Sequence, residues 1–325
     1  MAREAMNKDS PHTVTPQQAG QTLAAILRTR RPGESWSQVK GLVTARRVAV
    51  GGSLCMDPAR RLKEGEVIEV LEKPAAVIKG ETPEGVVIRH LDEDVVIVEK
   101  ASGISTVRHP AERTWKDERR ELVPTLDDIS QRAIAKRLGV RKHELSRLRV
   151  VHRLDKETSG LVAFARSVRA ERDLGRQFKA HTVVRRYIAI VPGVVKPQSF
   201  STWLVRDRGD GRRGSGADYA GGKRAVTHVD VLERFPRHTA LVCQLETGRT
   251  HQIRIHLAEA GHPVCGDRVY NRRPDGSVTE DDSGAPRLAL HAAELGFIHP
   301  ATEKEMLWDK PPPPDLMRFM DRLRS

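Results

Sequence analysis

The sequence predicts an α+β protein of two domains, and three observations predict it. Apolar runs of strand length alternate with stretches whose apolar residues recur at i, i+3 and i+4. A short basic module comes first, and a charged, proline-bearing segment from Glu72 to Glu84 separates it from the rest. At 325 residues the chain also exceeds the roughly 100 to 150 residues around which single domains centre. The expected partition is a disordered tail over 1–12, a small domain over 13–73, a linker over 74–84 and a large domain over 85–325.

Composition narrows the class. Apolar residues make up 38% and charged residues 30%, as in a soluble globular protein with a strongly charged surface. Lys and Arg outnumber Asp and Glu by 56 to 43, a net charge of +13, which points to a polyanionic partner, because a basic surface gains affinity by releasing counterions from phosphates. Cys55, Cys243 and Cys265 are widely spaced and form no C-x-x-C pair, so neither a disulfide framework nor a zinc ribbon is indicated. The opening residues lack an apolar signal core, and no run approaches the roughly 18 apolar residues of a membrane span. A cytoplasmic protein without a membrane partner is expected.

In the small domain, Leu23, Ile26 and Leu27 share a helical face after Pro16, and Arg30-Arg31-Pro32-Gly33 ends that helix. Ser35 is placed to cap a second helix carrying Val39, Leu42 and Val43. Val48-Ala49-Val50, a Gly51-Gly52 turn and Glu66 to Val70 read as short strands. Arg28, Arg30, Arg31, Arg46, Arg47, Arg60, Arg61 and Lys63 make this module basic.

In the large domain, Val86-Val87-Ile88 and Val95 to Val98 flank Leu91-Asp92-Glu93-Asp94, a hairpin rather than a metal site. Pro110 to Arg119 reads as a loop and Asp127 to Leu138 as a helix. Asp155 then lies between the apolar runs at Val150-Val151 and Leu161 to Ala165, on a tight Thr-Ser-Gly-bearing loop between two strands. Ser167 caps a helix bearing Val168, Leu174 and Phe178, and Val183 to Val191 is a β-branched strand that sets Tyr187 opposite Ile188 and Ile190. Arg206 to Gly222 is rich in Gly, Arg and Asp and is expected to be mobile; Lys223 to Leu232 and Thr239 to Glu246 are strands. Thr250 is placed to cap a helix ended by Gly261. A polar excursion over Asn271 to Pro286, strands near Arg287 to Ala292 and Gly296 to Pro300, and an amphipathic helix bearing Leu316, Phe319, Met320 and Leu323 complete the chain.

One string is long enough to compare with a known signature. His152-Arg153-Leu154-Asp155-Lys156-Glu157-Thr158-Ser159-Gly160 resembles that of the RluA-type pseudouridine synthases, which isomerise uridine in ribosomal or transfer RNA. Arg185-Arg186-Tyr187 resembles their second motif, and Arg249-Thr250-His251-Gln252-Ile253-Arg254 their third. The resemblance implies a catalytic domain on a mixed, largely antiparallel sheet. It also implies that Asp155 is the catalytic aspartate, that Tyr187 stacks on the target base, that Arg249 pairs with Asp155, and that Ile253 lies beside it. Arg153 and His152 are implied nucleotide contacts, and Lys223 and Arg224 sit on a strand that runs beside the RNA. The small domain, through Arg61 to Val70, is similar to the ribosomal-protein-type RNA-binding domain often fused ahead of such enzymes.

The chemistry fits a single marked carboxylate. Breaking the C1′ to N1 bond and joining C1′ to C5 involves no net oxidation and no leaving atom, so neither a redox cofactor nor a metal is expected. His251, His256 and His262 lack the i, i+4 spacing of a helical zinc site. A glycosidase would ordinarily need a second carboxylate. The remaining rival is a catalytically idle RNA-binding protein of the same fold serving ribosome assembly. A monomer acting on rRNA or tRNA is the reading carried forward.

Overall fold

In a computed structural model, residues 10–55, 57–74, 86–112, 114–208, 212–216, 221–271 and 281–325 are described. Residues 1–9 of the expected 1–12 tail and 75–84 of the expected 74–84 linker lie outside the described residues, as do 209–211, 217–220 and 272–280 of the two polar excursions. The chain divides into two compact units, Met1–Val77 and Ile78–Ser325.

The first unit comprises β1 (His12–Thr13), α1 (Leu23–Arg30), α2 (Trp36–Thr44), β2 (Val48–Val50), β3 (Ser53–Leu54) and β4 (Val67–Val70). Its antiparallel sheet runs β1-β4-β2-β3. Helix α1 begins at Leu23 rather than near Pro16, because Thr22 caps it by accepting from the Ala25 amide. Ser35 and Gln38 cap α2 reciprocally. Leu23, Ile26, Leu27, Val39, Val43 and Ile68 close one core. Several of the arginines serve this fold: Arg28, Arg47 and Arg61 donate to the carbonyls of Pro32, Leu71 and Gly20.

The second unit opens with β5 (Val87–Leu91) and β6 (Val95–Lys100), the expected hairpin. There follow α3 (Asp117–Leu122), α4 (Leu126–Leu138), β7 (Arg149–Val150), β8 (Ser159–Ala165), α5 (Val168–Lys179), β9 (Val184–Pro192) and β10 (Gln198–Val205). The chain continues through β11 (Gly214–Gly216), β12 (Lys223–Arg234), β13 (His238–Leu245), α6 (Gln252–Glu259), β14 (Leu290–Ile298), β15 (Glu305–Asp309) and α7 (Pro314–Arg324). The sheet order is β11-β10-β12-β13-β9-β14-β8-β6-β5, with β15 on β14 and β7 on β8. Every pairing is antiparallel except β8 with β14, so the sheet is mixed and largely antiparallel.

Four local expectations change. The loop expected over Pro110 to Arg119 contains the start of α3, which begins at Asp117 with Asp117 and Glu118 in its first turn. Gly214–Gly216, expected to be mobile, pairs with β10, and Glu259 of α6 pins it by accepting from the Ser215 amide and hydroxyl. Val168, expected on the core face of α5, is exposed, while Leu174 is buried. One continuous strand, β14, replaces two short closing strands, and β15 takes its outer edge.

The single parallel contact positions the site. β8 and β14 pair only through Ser159 with His291 and Gly160 with Ala292. Beyond that point they diverge, β15 taking over the edge of β14 and β7 that of β8. Gly160 sits at the fork with φ +124°, where a Cβ would lie 2.2 Å from the Ala292 carbonyl oxygen, so only glycine permits the approach. All seven residues of β8 are buried, with Val162 and Phe164 in the main core and Leu161 and Ala163 packed with α5. The loop 151–158 crosses the mouth of this fork.

Candidate active site

Asp155 sits at the apex of that loop. The turn is closed by the main chain, Thr158 N–H donating to the Asp155 carbonyl at 3.1 Å, so the side chain is not needed for it. Its neighbours are fixed from behind. Thr106 Oγ1 donates to the Leu154 carbonyl at 2.8 Å and accepts from the Leu154 amide at 3.1 Å. Ser102 Oγ donates to the Glu157 carbonyl at 2.7 Å. The buried Lys100 ammonium donates to the carbonyls of Lys156 and Thr158, both at 2.7 Å, and of Ala101 at 3.0 Å. Burial lowers this amine to about 7, against the pull of Glu157 and Asp155.

The carboxylate meets a different arginine from the one expected. Arg254 Nη1 lies 3.3 Å from Asp155 Oδ2. Its other nitrogens grip Asp267, Nε at 2.7 Å and Nη2 at 2.9 Å. Asp267 Oδ1 also accepts from the amides of Val269 and Tyr270 at 2.8 and 3.0 Å. Burial works against both charges of this pair, and the mutual hydrogen bonds overcome it: Arg254 is raised and Asp267 lowered from their ordinary values. Arg249, expected as the partner, instead donates Nε to the Arg224 carbonyl at 3.0 Å. The reason is helical geometry: Arg254 lies in the first turns of α6 and faces inward with Ile253, whereas Arg249 precedes the helix. Arg254 was legible as a charge within a buried helix, between Ile253 and Ile255 and close to Leu257, a setting that demands a partner.

Thr250 does not cap α6 either. The cap position falls to His251, which adopts a left-handed backbone with φ 60° and makes no side-chain cap bond. Thr250 Oγ1 accepts from Arg153 Nη2 at 3.0 Å, tying the α6 turn to the Asp155 loop. The strained residue aims His251 Nε2 to 3.9 Å from Asp155 Oδ1, while its Nδ1 is 2.8 Å from the Tyr270 hydroxyl. Burial lowers the His251 imidazole below its ordinary value.

A cavity of about 480 Å³ opens above Asp155, and Tyr187, Arg249, Arg153, His152 and Ile253 all line it. Tyr187 is buried, and loss of solvent pushes its phenol up to about 12. Ile253 is buried within the main core. His152 has a second engagement: its Nε2 accepts from the Ala163 amide at 2.9 Å, satisfying a strand donor left open by the fork, and its ring stacks on Phe178. Burial lowers this imidazole to about 3, so it is neutral. Lys223 and Arg224 do not line the cavity. They are adjacent exposed residues on β12, so their side chains point to opposite faces, Arg224 sharing its face with Trp203 across the ladder.

His90, Asp92 and His299 are the one cluster of metal-ligand types found among the described residues. His299 Nδ1 accepts from the amides of Ala301 and Thr302, both at 3.2 Å, which leaves the proton on Nε2, facing Asp92. That nitrogen therefore has no lone pair for a cation.

The sequence pattern of the RNA pseudouridylate synthase family matches residues 94–259, a span from the β5–β6 turn to the end of α6. Ribosomal large subunit pseudouridine synthase D of Nitrosomonas europaea is 35% identical over 320 residues, covering 96% of this chain and 87% of that protein. The chain belongs to the RNA pseudouridylate synthase family. The protein of that same description from Escherichia coli K12 is 31% identical over 326 residues, covering 96% of this chain and 94% of its own. The fold is shared with human RNA pseudouridylate synthase domain containing 4, at a TM-score of 0.57 and 24% identity over 73% of this chain and 92% of that one. This family member is accordingly an RNA-modifying isomerase. Among the described residues, no helix is long and apolar enough to cross a membrane.

Proposed function

We propose that this synthase isomerises uridine in large-subunit ribosomal RNA, with Asp155 as its catalytic carboxylate. The observation that carries the assignment is the release of the Asp155 carboxylate from its own turn, so that it faces a cavity with Arg254 on one oxygen and Tyr187 on the wall. The target class rests on the relatives, whose names specify the large ribosomal subunit.

Arg254, anchored by Asp267, orients the carboxylate as a charge-assisted pair. Tyr187 stays a neutral phenol near pH 7 and offers the uracil ring a stacking face. The target nucleotide must leave its helix to enter, and Arg153 at the rim, with the protein's net positive charge, helps offset that cost. Asp155 then either attacks C1′ or removes a sugar proton, the base departs with the bonding pair, turns, and returns through C5. The first unit adds RNA affinity, and the enzyme works as a cytoplasmic monomer.

The test is pseudouridine mapping across ribosomal and transfer RNA from cells lacking the protein, rescued with wild type or Asp155→Ala. Sites in large-subunit rRNA are expected to vanish and to return with wild type alone. An unchanged map in every strain removes the enzyme reading and leaves an RNA-binding assembly protein of the same fold.

A further inference from the structure

Charges lining the cavity do not cancel. Asp155 is matched by Arg254 and Arg254 by Asp267. Arg185 has no such match: among the described residues no carboxylate stands within ion-pair distance of it, although it is only 6% exposed. Its Nη2 donates to the Glu246 carbonyl at 2.6 Å and approaches that of Leu245 at 3.5 Å. Its Nε is buried without an acceptor, and its guanidinium carbon lies 5.6 Å from the Phe178 ring. Burying a cation beside neutral groups alone costs stability. The fold nevertheless makes room for it, since a Cβ at Gly248 would come within 2.5 Å of Arg185 Nη1.

Position says what the cost serves. Arg185 and Tyr187 occupy the same face of β9, about 6.6 Å apart along the strand, and both line the cavity over Asp155. The Tyr187 phenol feels both the Arg185 and the Asp155 charge. Arg185 and Tyr187 thus put a buried guanidinium and the phenol on one wall of the cavity that holds Asp155.

We propose that Arg185 is a catalytic residue that stabilises the negative charge on uracil once its bond to C1′ has broken. This rests on the isomerase reading above and on Tyr187 as the stacking face. When the C1′ to N1 bond breaks, its electron pair stays with the base, spread over N1, O2 and O4. C1′ is satisfied either by a bond to an Asp155 oxygen or by a double bond to C2′, whose proton Asp155 then holds. In recapture, the base supplies the pair that joins C5 to C1′, Asp155 is released or returns its proton, and the C5 proton moves to N1. No oxidant enters and atoms balance. A preorganised cation aimed at a charge that exists only after bond cleavage lowers the barrier without tightening substrate binding.

The experiment compares single-turnover rates of wild type, Arg185→Lys and Arg185→Gln on large-subunit rRNA transcripts made with uridine or with 5-fluorouridine. Loss of the parent nucleoside is read by digestion and chromatography, and melting is recorded for each variant. Fluorine withdraws electron density, so the departing 5-fluorouracil anion needs less help. Arg185→Gln is expected to slow uridine consumption about 100-fold and 5-fluorouridine consumption only about 10-fold, with the enzyme concentration that gives the half-maximal single-turnover rate unchanged. Arg185→Lys, which keeps the charge, should fall between wild type and Arg185→Gln on uridine. Equal losses on the two RNAs, or a Lys variant that melts like wild type yet is as slow as Gln, would overturn the role and return Arg185 to holding the 245–248 turn. A wild type that consumes neither nucleoside takes down the isomerase reading itself, a result distinguishable from either.

Discussion

Two aspartates in tight turns of one sheet have opposite fates. Asp92 turns the hairpin between β5 and β6 by its side chain: Oδ1 accepts the amides of Asp94 and Val95 at 2.8 and 2.7 Å, and Oδ2 faces His299 Nε2 at 2.9 Å. Burial alone would raise this carboxyl, but the Val95 amide and His90 outweigh it and hold it below the usual range. Asp155 turns its loop by its main-chain carbonyl, while Lys100, Ser102 and Thr106 hold the remaining carbonyls from outside. The difference teaches that an aspartate becomes available for chemistry when other residues assume the work of its turn. The same residue type in the same kind of turn has its carboxylate tied into the turn or turned to a cavity according to which oxygen closes the turn.

The comparison can be broken most severely at Gly160. Gly160→Ala is expected to cost more than about 4 kcal/mol, because a left-handed backbone and contact with the Ala292 carbonyl are both denied to alanine, and urea denaturation measures it. A tolerated alanine would mean that the fork does not hold the Asp155 loop. Next comes the contrast between two arginines. Arg254→Gln leaves Asp267 buried and unpaired and should cost about 3 to 5 kcal/mol together with activity, whereas Arg249→Gln should change stability by less than about 1 kcal/mol. Equal losses in denaturation would contradict the pairing of Asp155 with Arg254.

Acid separates the two turns by the pH at which each loses stability, not by sign. His152 is neutral when folded, lowered to about 3, and takes a proton near 6.5 when unfolded, so its contribution is complete above pH 6.5 and is lost as pH falls. His256 and His291, lowered to about 4 by burial, act in the same direction. Asp92, lowered when folded, contributes above its unfolded value near 3.9 and loses that contribution only in stronger acid. Between pH 6.5 and 5, His152→Asn should therefore flatten the stability slope by up to about 1.4 kcal/mol per unit, and Asp92→Asn should leave it unchanged, as denaturation midpoints across that range will show. Asp92→Ala is expected to cost about 1 to 2 kcal/mol of stability with pseudouridine formation per folded molecule intact. Reduced specific activity there would join the Asp92 hairpin to the site.

Local signals carried much of this protein. Capping residues and apolar periodicity marked α2 and α5, and turn residues bounded the β5–β6 hairpin, because each depends on neighbours a few positions away. The string around Asp155 and the apolar run of β8 were legible together, as a loop between two strands. By itself the sequence determined the α+β class, the family and six of the eight singled-out residues, Asp155, Tyr187, Arg249, Arg153, His152 and Ile253, which line the cavity. Tertiary structure alone decided that Arg254 rather than Arg249 meets Asp155, that Thr250 serves Arg153 instead of the helix end, and that Lys223 and Arg224 diverge. It also decided that Lys100 and Thr106, some fifty residues upstream, release the aspartate from its turn. Those outcomes depend on where separate strands diverge and on which way a helix faces, and neither distance is written in the spacing of residues along the chain.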